Sequence, residues 1–238
     1  MAAVRAVLFD KDGTLIDFQN TWAPTFHTLM SELAAGDRLK AERLAAAAGF
    51  NLEAVRFEAD SVLIAGSNDD IADAFAEILG LSDPKALAED INARIGAMSL
   101  PHLSPFDDLV PALDRLAGHG LALGIATNDA EASALAQLDA LGLTQRFAAV
   151  IGFDSGHGAK PSPGMVSGFC AALGLDPQEV VMVGDSLHDM HAGQAAGTRT
   201  LAVTTGTVGA EVLAPHADHV AGSLSDAIDW IETLIVRD

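Results

Sequence analysis

The chain has 238 residues, half of them hydrophobic, with one cysteine and a formal net charge of −20 at neutral pH. That length can bury a core as one large domain or two smaller ones, and the apolar content excludes a disordered chain. The acidic balance excludes nucleic acid and acidic membrane as natural partners, the lone cysteine excludes an internal disulfide or multi-cysteine zinc site, and no apolar run nears the roughly 20 residues of a bilayer span.

No signal-peptide pattern precedes the first apolar stretch, so a cytoplasmic location is the expectation. Residues 4–16 read Val-Arg-Ala-Val-Leu-Phe-Asp-Lys-Asp-Gly-Thr-Leu-Ile. The unbroken apolar run into Asp10 predicts a buried parallel strand, with Asp10 at its carboxyl end, where open α/β sheets bind ligands. Side-chain alternation lets Asp12 project to the same side, and Gly13 permits a sharp turn whose amides can face an anion. Such a cluster suits phosphoryl chemistry with a metal ion. An ordinary acidic turn has the same composition. An EF-hand loop does not fit, because the twelfth position from Asp10 is Thr21 rather than Glu.

Residues 17–98 predict helix after helix, with Trp22, Phe26, Leu29, Met30 and Leu33 at helical spacing and Ser82-Asp83-Pro84 as a helix start. Val62-Leu63-Ile64 reads as a continuation of helix, and no strand is expected in this insert. From Ser104 the pattern alternates. Helices are expected over 108–116, 132–141, 164–173, 187–196 and 224–236, and strands over 121–126, 148–151, 180–183 and 200–203. Alternation of this kind means βαβ units and a parallel sheet with helices on both faces, an α/β Rossmann-like architecture. Cys170 lies in an apolar helical pattern and reads as a buried structural thiol.

Apt chemistry recurs at later strand ends. Thr127 and Asn128 offer a hydroxyl and an amide for phosphate oxygens, Lys160 offers a cation beyond a glycine-rich loop, and Asp185 and Asp189 offer hard oxygens of the kind magnesium takes. Each also reads as an ordinary loop or helix-cap residue when taken alone. His188 and His191 flank Asp189, but a solvated helix face accounts for them better than a transition-metal site.

Asp10-Lys11-Asp12-Gly13-Thr14-Leu15, then Thr127-Asn128, Lys160-Pro161 and Gly184-Asp185-Ser186-Leu187-His188-Asp189, resemble in order the four motifs of the haloacid dehalogenase superfamily. Within it, the similarity is to the phosphoglycolate phosphatase-like branch, with residues 17–98 resembling a C1-type helical cap inserted into a core of residues 1–16 and 99–238. The resemblance implies a sheet with the first strand central, between the Thr127 and Asp185 strands. It implies Asp10 as nucleophile, forming an aspartyl-phosphate, and Asp12 as acid and then base. It implies Mg2+ held by Asp10, Asp185 and the Asp12 main-chain carbonyl, and Gly13, Thr127, Asn128 and Lys160 around the phosphoryl group, with Thr127 and Lys160 also serving catalysis. Asp189 is implied to position Lys160 or metal-bound water. A cap would close over the site and restrict access.

An aspartate at position 12 favours phosphate esters over carbon–halogen or carbon–phosphorus cleavage, because an alkoxide leaving group needs a proton. The expected activity is a magnesium-dependent phosphatase on a small phosphorylated metabolite such as phosphoglycolate or a sugar phosphate, in a monomer or homodimer. A phosphomutase on the same scaffold and a non-catalytic phosphate-binding module are the alternatives. Lys11, where the family pattern is usually apolar, and Phe18, in place of a frequent serine, depart from that pattern, and neither is expected to touch the catalytic set.

Overall fold

The computed structural model describes residues 2–58, 61–64 and 69–235, and the chain divides into two compact units. One holds the chain up to Asp17 and again from Pro105; the other is Phe18–Ser104.

The chain opens with β1 (Ala6–Phe9), buried throughout, and then enters the Phe18–Ser104 unit. Here α1 (Phe18–Ala34) and α2 (Arg38–Ala48) are followed by β2 (Phe50–Asn51), β3 (Arg56–Phe57), α3 (Asp69–Leu79) and α4 (Pro84–Ser99). Asp37 and Asp83 cap the helices that follow them, accepting from the Lys40 and Ala86 N–H groups, and Pro84 stands in the first turn as its fixed φ favours. The β2–β3 hairpin corrects the expectation of an insert without strands. Two residues per strand carry no readable alternation, and the hairpin exists because Phe57 fills the core. Its ring packs against Phe18, Phe26 and Phe50 at centroid distances of 5.1, 5.4 and 5.1 Å, and the Gln19 side chain hydrogen-bonds both its N–H and its carbonyl. Val62-Leu63-Ile64 forms a turn rather than helix. The unit runs past the anticipated residue 98 because a 3-10 turn, Leu100–His102, prolongs α4, and the Ser104 N–H donates to Thr21 Oγ1 of α1 at 3.1 Å.

The other unit contains α5 (Leu109–Gly118), β4 (Ala122–Ala126), α6 (Glu131–Ala140), β5 (Ala149–Ile151), α7 (Gly164–Leu173), β6 (Val180–Gly184), α8 (Leu187–Ala196), β7 (Arg199–Val203), α9 (Ala210–Leu213), β8 (His219–Ala221) and α10 (Leu224–Glu232). Its strands form one parallel sheet ordered β5-β4-β1-β6-β7-β8. The central strands are apolar because both faces are covered: Leu8, Met182, Met165, Phe169 and Cys170 belong to one buried cluster. The short helix α9 and the edge strand β8 were not anticipated. The expected closing helix extended to Val236, which lies outside the described residues; α10 ends at Glu232. Among the described residues, no helix is long and apolar enough to cross a membrane.

Register positions the chemistry. Phe9 pairs with Ile125 on one side and Val183 on the other. The residues just beyond these three, Asp10, Ala126-Thr127 and Gly184-Asp185, therefore leave the sheet at one level and one edge.

Candidate active site

Asp10, Asp185 and Asp189 are all buried, and each offers a carboxylate oxygen within 4.8 Å of the others. Lys160, also buried, reaches into this group: its Nζ lies 2.6 Å from Asp10 Oδ1 and 2.6 Å from Asp189 Oδ1. Asp189 is held from its other side as well, because Oδ2 accepts from the Ser186 N–H at 3.0 Å and the Ser186 hydroxyl at 2.6 Å in a capping box that starts α8. Asp185 accepts from Thr14 Oγ1 at 3.3 Å and, among the described residues, forms no salt bridge.

Burial leaves its mark on these acids. Removal from water pushes Asp10 up to about 7, against the opposing charge of Lys160 and helped by Asp189 and Asp12. Asp185 is raised well above the carboxylate range by burial and by Asp10 and Asp189. Burial pulls Lys160 down, but Asp10 and Asp189 outweigh it and hold the ammonium above its ordinary value. Ionised together, the three carboxylates would outnumber the one ammonium by two charges, which is why burial and mutual repulsion favour their protonated forms until a cation is bound. An all-oxygen donor set with that surplus fits a hard divalent cation such as Mg2+.

The backbone beside Asp185 is shaped for close approach. Gly13 has φ +81°, and a Cβ there would stand 2.4 Å from Asp185 Oδ2; a Cβ on Gly206 would stand 1.7 Å from the same oxygen. Thr205 Oγ1 donates to the Gly13 carbonyl at 2.7 Å and ties these two loops together. Gly206 was missed at the sequence level, although its position in the loop after β7 follows the same strand-end rule that singled out the others.

Thr127 is buried, and its Oγ1 accepts from the Asp129 N–H at 3.1 Å, a use that leaves the hydroxyl hydrogen uncommitted to that bond. Gly13, expected beside the phosphoryl group in a turn whose amides can face an anion, donates its own N–H to the Ile16 carbonyl at 2.7 Å. Asn128, expected beside the phosphoryl oxygens, sets its side-chain amide on the Lys160 main chain, accepting from the N–H at 2.9 Å and donating to the carbonyl at 3.1 Å. It sets the main chain from which Lys160 reaches Asp10.

Lys11 overturns the expectation that it stands apart from the catalytic set. It is fully buried, and its Nζ lies 2.6 Å from Asp12 Oδ2, 2.5 Å from Gln137 Oε1 and 3.2 Å from Asp129 Oδ2. Burial pulls the ammonium down, yet Asp12 and Asp129 outweigh it and raise its pKa. The sequence signal was present in weak form: a site usually apolar is a site without water, and a lysine there requires acceptors.

The haloacid dehalogenase-like hydrolase family model matches residues 7–203. An N-acetylmuramic acid 6-phosphate phosphatase of Pseudomonas putida is 33% identical over 222 residues, covering 90% of this chain and 92% of that protein. A phosphoglycolate phosphatase of Rhodospirillum rubrum is 29% identical, covering 95% and 90%. In fold, the chain resembles the crystal structure of a predicted phosphoglycolate phosphatase from Haemophilus somnus, with a TM-score of 0.71 at 18% identity and coverage of 97% and 99%. The sheet order, the convergence of the β1, β4 and β6 ends with Lys160, and these matches place the chain among the haloacid dehalogenase-like hydrolases.

Proposed function

We propose that the protein is a Mg2+-dependent phosphatase that hydrolyses a small phosphorylated metabolite through an aspartyl-phosphate on Asp10. The observation that carries this reading is the meeting of Asp10, Asp185, Asp189 and Lys160 at one sheet edge, from segments up to 179 residues apart in a single chain of 238. The names of the two relatives support the substrate class, since both describe phosphatases of phosphorylated acids.

In this reading Asp10 attacks phosphorus in line with the ester oxygen. Asp12 gives a proton to the departing alcohol, then takes one from the water that hydrolyses the acyl phosphate. Lys160 and the Thr127 hydroxyl stabilise charge on the phosphoryl oxygens, with Asn128 and Asp189 fixing Lys160 at both its main chain and its ammonium. Asp10, Asp185 and the Asp12 main-chain carbonyl would hold Mg2+, which supplies charge neutralisation of the carboxylates and of the phosphoryl group. The helical unit, Phe18–Ser104, would correspond to a C1-type cap.

The test is a phosphate-release screen of purified protein over small phosphomonoesters, with and without excess chelator. Magnesium-dependent release of phosphate into water from at least one of them is expected. No release from any ester, or full turnover in chelator, would sink the reading; a product that forms only when a sugar acceptor is supplied would indicate a mutase.

A further inference from the structure

We propose that Lys11 is a positioning residue for the acid–base carboxyl of Asp12, holding it in one orientation through the reaction. The proposal rests on the acid–base role given to Asp12 above and deepens it. Lys11 Nζ donates to Asp12 Oδ2 at 2.6 Å, and the ammonium is itself located by two groups on the far side. Gln137, fully buried within α6, accepts at 2.5 Å, and Asp129, in the loop after β4, lies at 3.2 Å. Asp129 is fixed in turn, because Ser133 of α6 donates to its Oδ2 at 2.8 Å and the Ala130 N–H donates to its Oδ1 at 2.8 Å. A helix thus anchors a cation, and the cation anchors the carboxyl.

The chemical consequence follows from the donor's identity. An ammonium 2.6 Å from Oδ2, itself held by Gln137 and Asp129, restrains rotation of the Asp12 carboxyl about its side-chain bonds. In the acid role Asp12 passes a proton to the ester oxygen as the P–O bond breaks, leaving a carboxylate paired with Lys11. The water that later attacks the acyl phosphate returns a proton to that carboxylate. Lys11 exchanges no proton; it keeps one orientation of the carboxyl through both half-reactions. Removing the ammonium loosens a carboxyl on a side chain that is 16% exposed, and misdirection of a general acid costs rate in proportion.

A purely structural ion pair and a positioning role predict different kinetics. General-acid help matters most for a poor leaving group and least for one that departs unprotonated. The experiment therefore compares kcat/KM on 2,4-dinitrophenyl, 4-nitrophenyl and phenyl phosphate, with saturating Mg2+, for wild type, Asp12→Asn and Lys11→Met. The parameter kcat/KM reports steps through leaving-group departure and is silent on later hydrolysis of the acyl phosphate. For Lys11→Met, the fall on phenyl phosphate should exceed the fall on the dinitrophenyl ester by about tenfold or more, a fraction of the roughly 10²–10⁴ that a general acid supplies. An equal fall on all three esters, or none, overturns the proposal. Should Lys11→Met fail to fold because Asp129 is left buried and uncompensated, Lys11→Met/Asp129→Asn carries the same measurement with that charge also removed. Asp12→Asn separates the two levels. If it shows the leaving-group-selective loss and the Lys11 variants do not, positioning alone is wrong; if it shows no selective loss, the acid–base assignment has failed and the proposal with it.

Discussion

Gly206→Ala should disable the site without altering any titratable group. A Cβ there would lie 1.7 Å from Asp185 Oδ2 and 2.4 Å from its Cγ. Ordinary contact begins near 3.5 Å, so either the carboxylate or the loop must move by roughly 1.5–2 Å. The carboxylate has little room to retreat, since Gly13 approaches the same oxygen closely enough that a Cβ there would stand at 2.4 Å. Overpacking of this kind costs about 1–3 kcal/mol of stability. Displacement by about 1 Å of a group that positions the reaction costs on the order of 100-fold in rate. The expected result is a folded protein whose kcat/KM on 4-nitrophenyl phosphate falls about 100-fold and whose half-activating Mg2+ concentration rises at least about tenfold. Gly118→Ala, where a Cβ meets nothing within 4 Å, is the matched control and should leave both unchanged. A folded Gly206→Ala protein with the wild-type magnesium curve and rate would refute the placement of Asp185 at the metal.

Asp10→Asn should abolish magnesium-dependent phosphate release while retaining the fold, as read by circular dichroism; substantial activity would remove Asp10 as nucleophile. Asp189→Asn weakens the charge pairing of a fully buried lysine and alters a capping box, so a stability loss of about 2–4 kcal/mol in urea denaturation is expected, with activity reduced through Lys160. A wild-type midpoint would show that Lys160 does not depend on this contact. The metal-free protein should lose stability as pH rises from about 4 to about 7. Asp10 in the folded chain binds its proton up to about 7, against 3.8 ordinarily, so the folded state holds the extra proton in that window and its advantage disappears above it, on the order of 4 kcal/mol for this group. Thermal melts without magnesium should therefore fall between pH 5 and 8 and recover when Mg2+ is added; a rise with pH would reverse the sign of the argument.

Most of what positions the site is written locally. The strand ending in Asp10 could be read because a parallel strand covered on both faces must be apolar from end to end, and a charge marks where cover stops. The ends of β4 and β6 obey the same rule, which marks Thr127 and Asp185 as strand-end residues; their place beside Asp10 was implied by the family resemblance, not by their own local sequence. Lys11 could not be placed this way. Its burial is decided by acceptors on residues 118 and 126 positions away, and a lysine read locally belongs in water. Gly13 was read for conformational freedom, correctly as to φ, but the partner of its N–H depends on how the turn closes onto Ile16. The hairpin carrying Phe57 is too short for any period to register, and its existence follows from the aromatic cluster it completes.

The two buried lysines divide the acids of the site into separate cells. Lys160 takes Asp10 and Asp189; Lys11 takes Asp12 and Asp129. Asp185, equally buried, falls in neither; with no lysine paired to it, burial and its acidic neighbours favour its protonated form unless a cation takes that place. This arrangement also resolves the conflict between a net charge of −20 and an anionic substrate. Surface charges are screened beyond a Debye length of about 8 Å at physiological salt, whereas groups packed within hydrogen-bond distance in a dry site are not. What a phosphoryl group meets at the sheet edge is set by the local count of ammonium, carboxylate and bound cation. Because each lysine is paired with two acids, its ammonium is held in place without a ligand, and on the proposed mechanism the field at the phosphoryl group would be set before the substrate arrives.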